Sequence, residues 1–298
     1  MTPTSRTPSA GEQDTCVAYL IDSLYRREGA DLGLAPVARF LESYVTHDAG
    51  ASHRLLVMRR GFRSAQAWAP HASEFEKRGV TYKALDVLDT GYDLGAYGQA
   101  VESSTADAYC FLNTSSEVLC DGWLAHLHNA AHTRAAGLVG ATGSFESAYS
   151  YQLSAYHTAR RSGDALASVR YWIGARRRRR QFDAFPNPHI RTSGFMLRRS
   201  IAVRLQWRPP RTRSDALRCE SGRSGLSSQA RALGLRNLIV GCDGRAYEQD
   251  EWASSGTFRC GEQSNLLIAD NRTRQYQAGS MEERIRLAQL AWGDGRHA

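Results

Sequence analysis

The chain has 298 residues, 42% hydrophobic and 23% charged, the balance of an ordinary globular protein with one large α/β domain or two small ones. No apolar run approaches the roughly 18 residues of a membrane-spanning helix, so no such span is expected in this sequence. The formal net charge of +8 is carried almost wholly by arginine, so nucleic acid, anionic lipid and phosphate are the partner classes to weigh.

The first 14 residues are polar, rich in Ser, Thr and Pro, and lack the apolar core of a signal peptide; a disordered tail is expected there, followed by a single domain over 15–298. Residues 15–21 (TCVAYLI) read as a first strand. Residues 34–45 carry apolar positions at helical spacing. A second strand is predicted at 54–58, a helix at 64–78, and a third strand at 80–87 with Asp86 near its end. A glycine-containing turn, Thr90-Gly91-Tyr92-Asp93-Leu94-Gly95, leads toward a helix at about 96–104. The fourth strand, 108–112, meets the polar cluster Asn113-Thr114-Ser115-Ser116-Glu117. Asp121-Gly122-Trp123 opens another helix, and a short apolar run ends in Gly140-Ala141-Thr142-Gly143. Strands alternating with helices predict a mostly parallel central sheet with helices on both faces.

Beyond residue 150 the pattern changes. Residues 150–185 are rich in Tyr, Ser and Arg and predict one or two helices and a loop beside the sheet's ligand-binding edge. Phe185-Pro186-Asn187-Pro188-His189-Ile190 must be irregular, because two prolines fix the backbone. Residues 192–199 return to a strand and enter a helix. A helix is predicted at 224–233, a strand at 238–241, an apolar core at 266–268 and a last helix at 281–292.

In open parallel sheets, ligands gather at the carboxyl ends of the strands, so the polar residues there are the candidates. Asp86 and Asp93 can each accept hydrogen bonds from a nucleoside base or a ribose diol; Asp93 would otherwise be a helix N-cap. Gly91 permits close backbone approach to a phosphate or simply makes a turn. His189 could contact a diphosphate, coordinate a metal or bond its own loop. Trp123 is read as core. Asp270-Asn271 is read as a turn ending a strand, with no chemistry assigned. The six cysteines include no CxxC pair and read as free thiols of a reducing, cytoplasmic protein. The run Arg176-Arg177-Arg178-Arg179-Arg180 is either a solvated helix face or a peripheral contact with anionic membrane, at its inner face. No nucleic-acid module accompanies it, so no nucleic-acid partner is expected.

Four segments, in order over about 15–245, resemble the family 2-like glycosyltransferases of GT-A (Rossmann-like) fold, bacterial polysaccharide and rhamnosyltransferase-like members included. They are the opening VAYLI strand; Gly91-Tyr92-Asp93-Leu94-Gly95; Leu112-Asn113-Thr114-Ser115-Ser116-Glu117-Val118 with Gly122-Trp123-Leu124; and Ser193-Gly194-Phe195-Met196-Leu197-Arg198-Arg199. Glu220-Ser221-Gly222 follows in the place of the family's acidic block. The resemblance implies transfer of a sugar, with inversion, from a nucleotide-diphosphate sugar to an acceptor hydroxyl on a glycan, a lipid-linked sugar or a small molecule. It implies Glu220 as the general base, and Asp86, Gly91, Asp93, Asn113, Ser115, Gly194, Arg198 and Arg199 around the donor, with His189 and Arg191 near the acceptor or diphosphate. The family's D-x-D, which holds Mg²⁺ or Mn²⁺, is replaced by Asn113-Thr114-Ser115. Three readings stay open: a weak metal site on Asn113, Ser115 and Glu117; arginines in place of the metal, with Arg191, Arg198 and Arg199 as candidates; or a non-catalytic nucleotide-sugar or glycan-binding protein on the same scaffold.

Overall fold

The computed structural model describes residues 14–24, 26–27, 30–31 and 33–293. The tail expected over 1–14 lies outside the described residues except for Asp14, which is anchored: its carboxylate is 3.0 Å from the Arg54 guanidinium and its carbonyl accepts from Asp107 N–H at 2.7 Å.

Eight strands make the main sheet: β1 (Thr15–Asp22), β2 (Arg54–Arg60), β3 (Lys83–Asp86), β4 (Ala108–Leu112), β5 (Ala136–Gly140), β6 (Gly194–Arg198), β7 (Arg236–Val240) and β8 (Ala246–Tyr247). Their spatial order is β8-β7-β5-β6-β4-β1-β2-β3. β1, β2, β3 and β4 are mutually parallel, as are β5 and β7. β6 lies antiparallel between β4 and β5, pairing Gly194 with Leu112 and Arg198 with Ala108, and β8 is an antiparallel edge. The sheet is thus mostly parallel, in a fold of the α/β class. β1 sits in its middle and every residue of it is buried, which is why it reads as an unbroken apolar run rather than an alternation.

Helices cover both faces. On one face α1 (Ala35–Thr46), α2 (Ala65–Lys77) and α4 (Trp123–Ala131) bring Phe40, Phe75 and Trp123 against Val17, Tyr19 and Val57. On the other, α3 (Tyr92–Ser103) and, further along the chain, α9 (Leu226–Ala232) bring Tyr97 and Leu226 into a core with Phe111, Phe195 and Leu197. Between them in sequence come α5 (Ala148–Arg161) and α6 (Ala165–Arg179), paired as a hairpin, then the single turn α7 (Arg199–Ala202) and α8 (Arg213–Ser221); α10 (Asn271–Ala278) and α11 (Met281–Trp292) close the chain. Side-chain caps fix several starts: Ser64 for α2, Ser147 for α5, Asp164 for α6, and reciprocal Thr212/Asp215 and Asp270/Thr273 pairs for α8 and α10.

Three expectations are revised. The third strand is confined to Lys83–Asp86. The helix placed at about 96–104 starts at Tyr92, because Gly91 takes the left-handed conformation (φ +96°) and caps it; Asp93 therefore lies inside the first turn rather than capping it. Residue 270 begins a helix as well as ending a ribbon. Among the described residues, no helix is long and apolar enough to cross a membrane.

Candidate active site

The carboxyl ends of β1 and β2 carry Asp22 and Arg60. Both are buried, and Arg60 Nη1 donates to Asp22 Oδ2 at 2.6 Å. A second bond, from Arg60 Nη2 to the Asp89 carbonyl at 2.6 Å, ties the pair to the turn before α3. Asp93 lies within electrostatic range of this pair and of Glu220. Burial, reinforced by the negative charges of Asp22 and Glu220 and opposed by Arg60, pushes its carboxyl from 3.8 up to about 7. Neither Asp22 nor Arg60 is among the candidates read from the sequence, although each ends an apolar run, the same signal that singled out Asp86.

The tip after β4 is held closed by its own bonds. Asn113 Oδ1 accepts from Ser115 N–H at 3.0 Å and Ser116 Oγ at 3.3 Å. The Ser115 carbonyl accepts from Arg274 at 2.8 Å, and the same guanidinium holds Glu117 Oε2 at 2.8 Å; Arg39 adds a second cation 3.8 Å from Glu117. Thr114 turns inward, bridging the Leu20 carbonyl and Asp22 N–H at 3.0 Å each. A divalent ion needs unshared oxygen donors carrying negative charge. Asn113 Oδ1 and Glu117 Oε2 are committed to protein partners and two arginines already stand at the tip's one carboxylate, a donor set poorly matched to a divalent cation.

Two short ribbons bring distant segments to the same edge. His189–Ile190 pairs with Gly143–Ser144, and Ile268–Ala269 pairs with Glu117–Val118. They deliver Arg191 and Asp270 to each other: Arg191 Nη2 donates to Asp270 Oδ2 at 2.7 Å, with both side chains buried. Arg191 also reaches Thr142 Oγ1 at 3.3 Å and stacks 4.2 Å above the Phe258 ring. Burial works against the Asp270 anion, but Arg191 and the Thr273 N–H more than offset it and bring the carboxyl down to about 2. Next to this pair, Glu220 Oε1 accepts from Thr192 N–H at 3.1 Å and Thr192 Oγ1 at 3.2 Å. Oε2 takes no hydrogen bond from the described residues. Glu220 lies in the last turn of α8, so it is not a cap of the helix that follows, whose N-cap is Gly225.

Glu220 also borders a cleft of about 1350 Å³ between the α5–α6 hairpin, the start of α10 and α11. Glu146, His189, Arg191 and Arg259 line its floor. His189 Nδ1 lies 2.8 Å from the Asn187 carbonyl. Glu146 is held low despite burial by Arg259, at 2.9 Å, and by His189 and Arg191. Arg170, Arg178, Arg272 and Arg286 are on the walls, and among the described residues none of these four is ion-paired.

The structure brings Asp93, Asn113, Ser115, His189, Arg191 and Glu220 to one edge of the sheet. It separates others from that edge. β6 runs down the sheet, so only Gly194 is at the site end. Arg198 pairs at the level of Ala108, and Arg199 donates to the Ser104 carbonyl and Tyr109 Oη at 2.6 and 2.8 Å, both at the opposite end. Gly194 itself packs on Ile268, which an added Cβ would meet at 3.2 Å. Gly91 packs against Gly95 and Pro209, 3.0 Å from the position of a Cβ. Asp86, at the exposed edge strand, is occupied by a two-bonded pairing with Arg59 at 2.8 and 2.7 Å.

No family model matches the chain, and no curated protein sequence matches it. Solved structures align with parts of it. A mannosyltransferase, PcManGT of Pyrobaculum calidifontis, solved with GDP-Man and Mn²⁺, shares 11% identity over 42% of this chain and 34% of its own, with a TM-score of 0.31. Glucosyl-3-phosphoglycerate synthase of Mycobacterium tuberculosis, solved with Mn²⁺, UDP and glucosyl-3-phosphoglycerate, shares 14% over 64% of this chain and 58% of its own, with a TM-score of 0.34. The chain therefore spans less than two thirds of either solved protein.

Proposed function

We propose that the protein is a glycosyltransferase of GT-A type, which takes a sugar from a nucleotide-diphosphate donor and passes it with inversion to an acceptor hydroxyl. The observation that carries this reading is the seat of Glu220: a carboxylate fixed through one oxygen by Thr192, at the junction of the strand-end cluster and the large cleft. In the proposed reaction the donor lies across the ends of β1 and β4, near Asp22, Asp93 and Thr114. The acceptor enters by the cleft. Oε2 of Glu220 takes the proton of the acceptor hydroxyl as its oxygen attacks the anomeric carbon from the face opposite the leaving diphosphate. Arg191, whose charge interacts with that of Glu220, is the cation beside that chemistry, and Arg198 and Arg199 take no part. The four unpaired cleft arginines favour an acceptor that itself bears negative charge.

The test uses Glu220→Gln. The variant should bind UDP, GDP or dTDP as the wild type does and transfer sugar 10²–10⁴-fold more slowly, roughly the usual contribution of a positioned base. A Gln variant that binds donor and turns over at the wild-type rate removes Glu220 from the mechanism. Absence of a melting shift with all three nucleotides at millimolar concentration removes the donor reading as well. A second reading, a binding protein without turnover, is favoured by one observation: the one carboxylate at the tip after β4, Glu117, is paired with Arg274 and Arg39. It predicts nucleotide binding with no transfer by wild type or variant.

A further inference from the structure

Helix α6 presents an outer face that the other described residues leave uncovered. Steps of three and four residues along it run Leu166, Val169, Ile173, Arg176 and Arg180. The first two turns of this stripe are apolar: Leu166 is 86% exposed, Val169 58% and Ile173 39%, with Trp172 beside them at 45%. The last two turns are cationic, with Arg176, Arg177, Arg179 and Arg180 all exposed. The Arg176 guanidinium lies 4.9 Å from the Trp172 ring, so cation and aromatic share one surface. The opposite face of the helix, with Tyr171 and Arg178, lines the cleft.

We infer that the outer face of α6 docks on an anionic bilayer surface, with Leu166, Val169, Trp172 and Ile173 entering the headgroup boundary and the arginine run bound to acidic headgroups. The composition is what such a surface selects: aliphatic and indole side chains for the boundary, guanidinium groups for phosphate. A second copy of this chain is a poorer occupant. Symmetric antiparallel pairing of two α6 helices sets each apolar half against the partner's arginines, and parallel pairing sets arginine on arginine. Docking also brings the cleft wall to within one helix diameter, roughly 10 Å, of the headgroups. The inference does not depend on the transferase reading, because it concerns adsorption alone.

The experiment is cosedimentation of the full chain with vesicles of phosphatidylcholine and of phosphatidylcholine mixed with phosphatidylglycerol. Binding is expected only to the mixed vesicles, weakening as salt is raised. Each arginine near an acidic surface is worth about 1 kcal/mol, or about fivefold in partitioning, so Arg176→Ser/Arg177→Ser/Arg180→Ser should lose about a hundredfold. Leu166→Ser/Trp172→Ser should abolish the part of the binding that survives high salt. All five positions are exposed, so wild-type melting temperatures are expected for both variants and would show that the fold is kept. Equal binding to both vesicle types, or none to either, overturns the inference. So does a concentration-dependent dimer that Leu166→Ser disperses, since the apolar face would then belong to a second copy.

Discussion

Asp93 makes the pH dependence of this fold unusual, and Asp93→Asn isolates it. Burial, with Asp22 and Glu220 close by, raises the carboxyl from 3.8 to about 7. The folded chain then keeps a proton that the unfolded chain has already released. Stability from this group is greatest below about 3.8 and falls as pH climbs to about 7. At about 1.4 kcal/mol per pH unit, the folded state forfeits about 4 kcal/mol by pH 8 but only about 2 kcal/mol at pH 5. These are upper values, because the carboxyl retains partial contact with solvent. Asparagine fills the same space and has no charge to bury, so it removes the penalty. Unfolding entropy of about 2.1 cal/mol/K per residue over 298 residues converts the gain to about 6 °C in melting temperature at pH 8 and about 2–3 °C at pH 5. The assay is parallel thermal melts of wild type and variant from pH 5 to pH 8. A gap that stays constant across that range, or a variant that melts lower at pH 8, refutes the claim that Asp93 holds its proton up to about pH 7.

Arg191→Met leaves Asp270 buried without its cation and should cost about 3–5 kcal/mol in urea unfolding; a loss under 1 kcal/mol would mean that the pair is not desolvated. Because Asp270 is held at about 2, below its usual 3.8, the wild-type contribution is complete above about 3.8 and disappears only as pH falls toward 2. Gly91→Ala forces a left-handed φ on an L-residue and drives its Cβ onto Gly95 and Pro209, so chemical denaturation should show about 1–3 kcal/mol lost. Removing divalent ions with EDTA should leave nucleoside-diphosphate binding by calorimetry largely intact, since Asn113 and Glu117 are taken up by protein partners; a strict Mn²⁺ requirement would show that the tip rearranges.

What the sequence yields here follows from how locally each feature is encoded. β1, β4, α1, α2 and α4 carry enough apolar residues at one period to be read directly, and all lie near their expected places. α8, with the sequence RSDALRCES, buries only Ser221, so no apolar stripe announces it. α10 is hidden in the sequence because its capping residue, Asp270, resembles a turn residue; Thr273, three positions on, completes the cap. The Arg191–Asp270 pair joins positions 79 residues apart, and no local pattern connects them. The resemblance puts Arg198 and Arg199 beside the donor, but a strand's direction is invisible in sequence; β6 runs antiparallel to its neighbours and carries both to the far end.

Asp22 and Asp86 show why strand-end grammar alone cannot rank site residues. Each is the last residue of a parallel strand, and each is bonded to an arginine at the end of β2, Asp22 to Arg60 and Asp86 to Arg59. Their exposures differ greatly: the Asp22 side chain is 5% exposed and that of Asp86 68%. The cause is sheet order. β1 has β4 and β2 on its flanks, whereas β3 is an edge with one neighbour. An ion pair at an exposed edge is screened by water and contributes little, about 0–1 kcal/mol. A pair in the centre is short of solvent, and its charges reach what titrates beside it: Asp22 raises the Asp93 carboxyl and Arg60 lowers it, on top of the larger effect of burial. The central position, which only the assembled sheet defines, is what moves Asp22 and Arg60 into the candidate site and leaves Asp86 outside it.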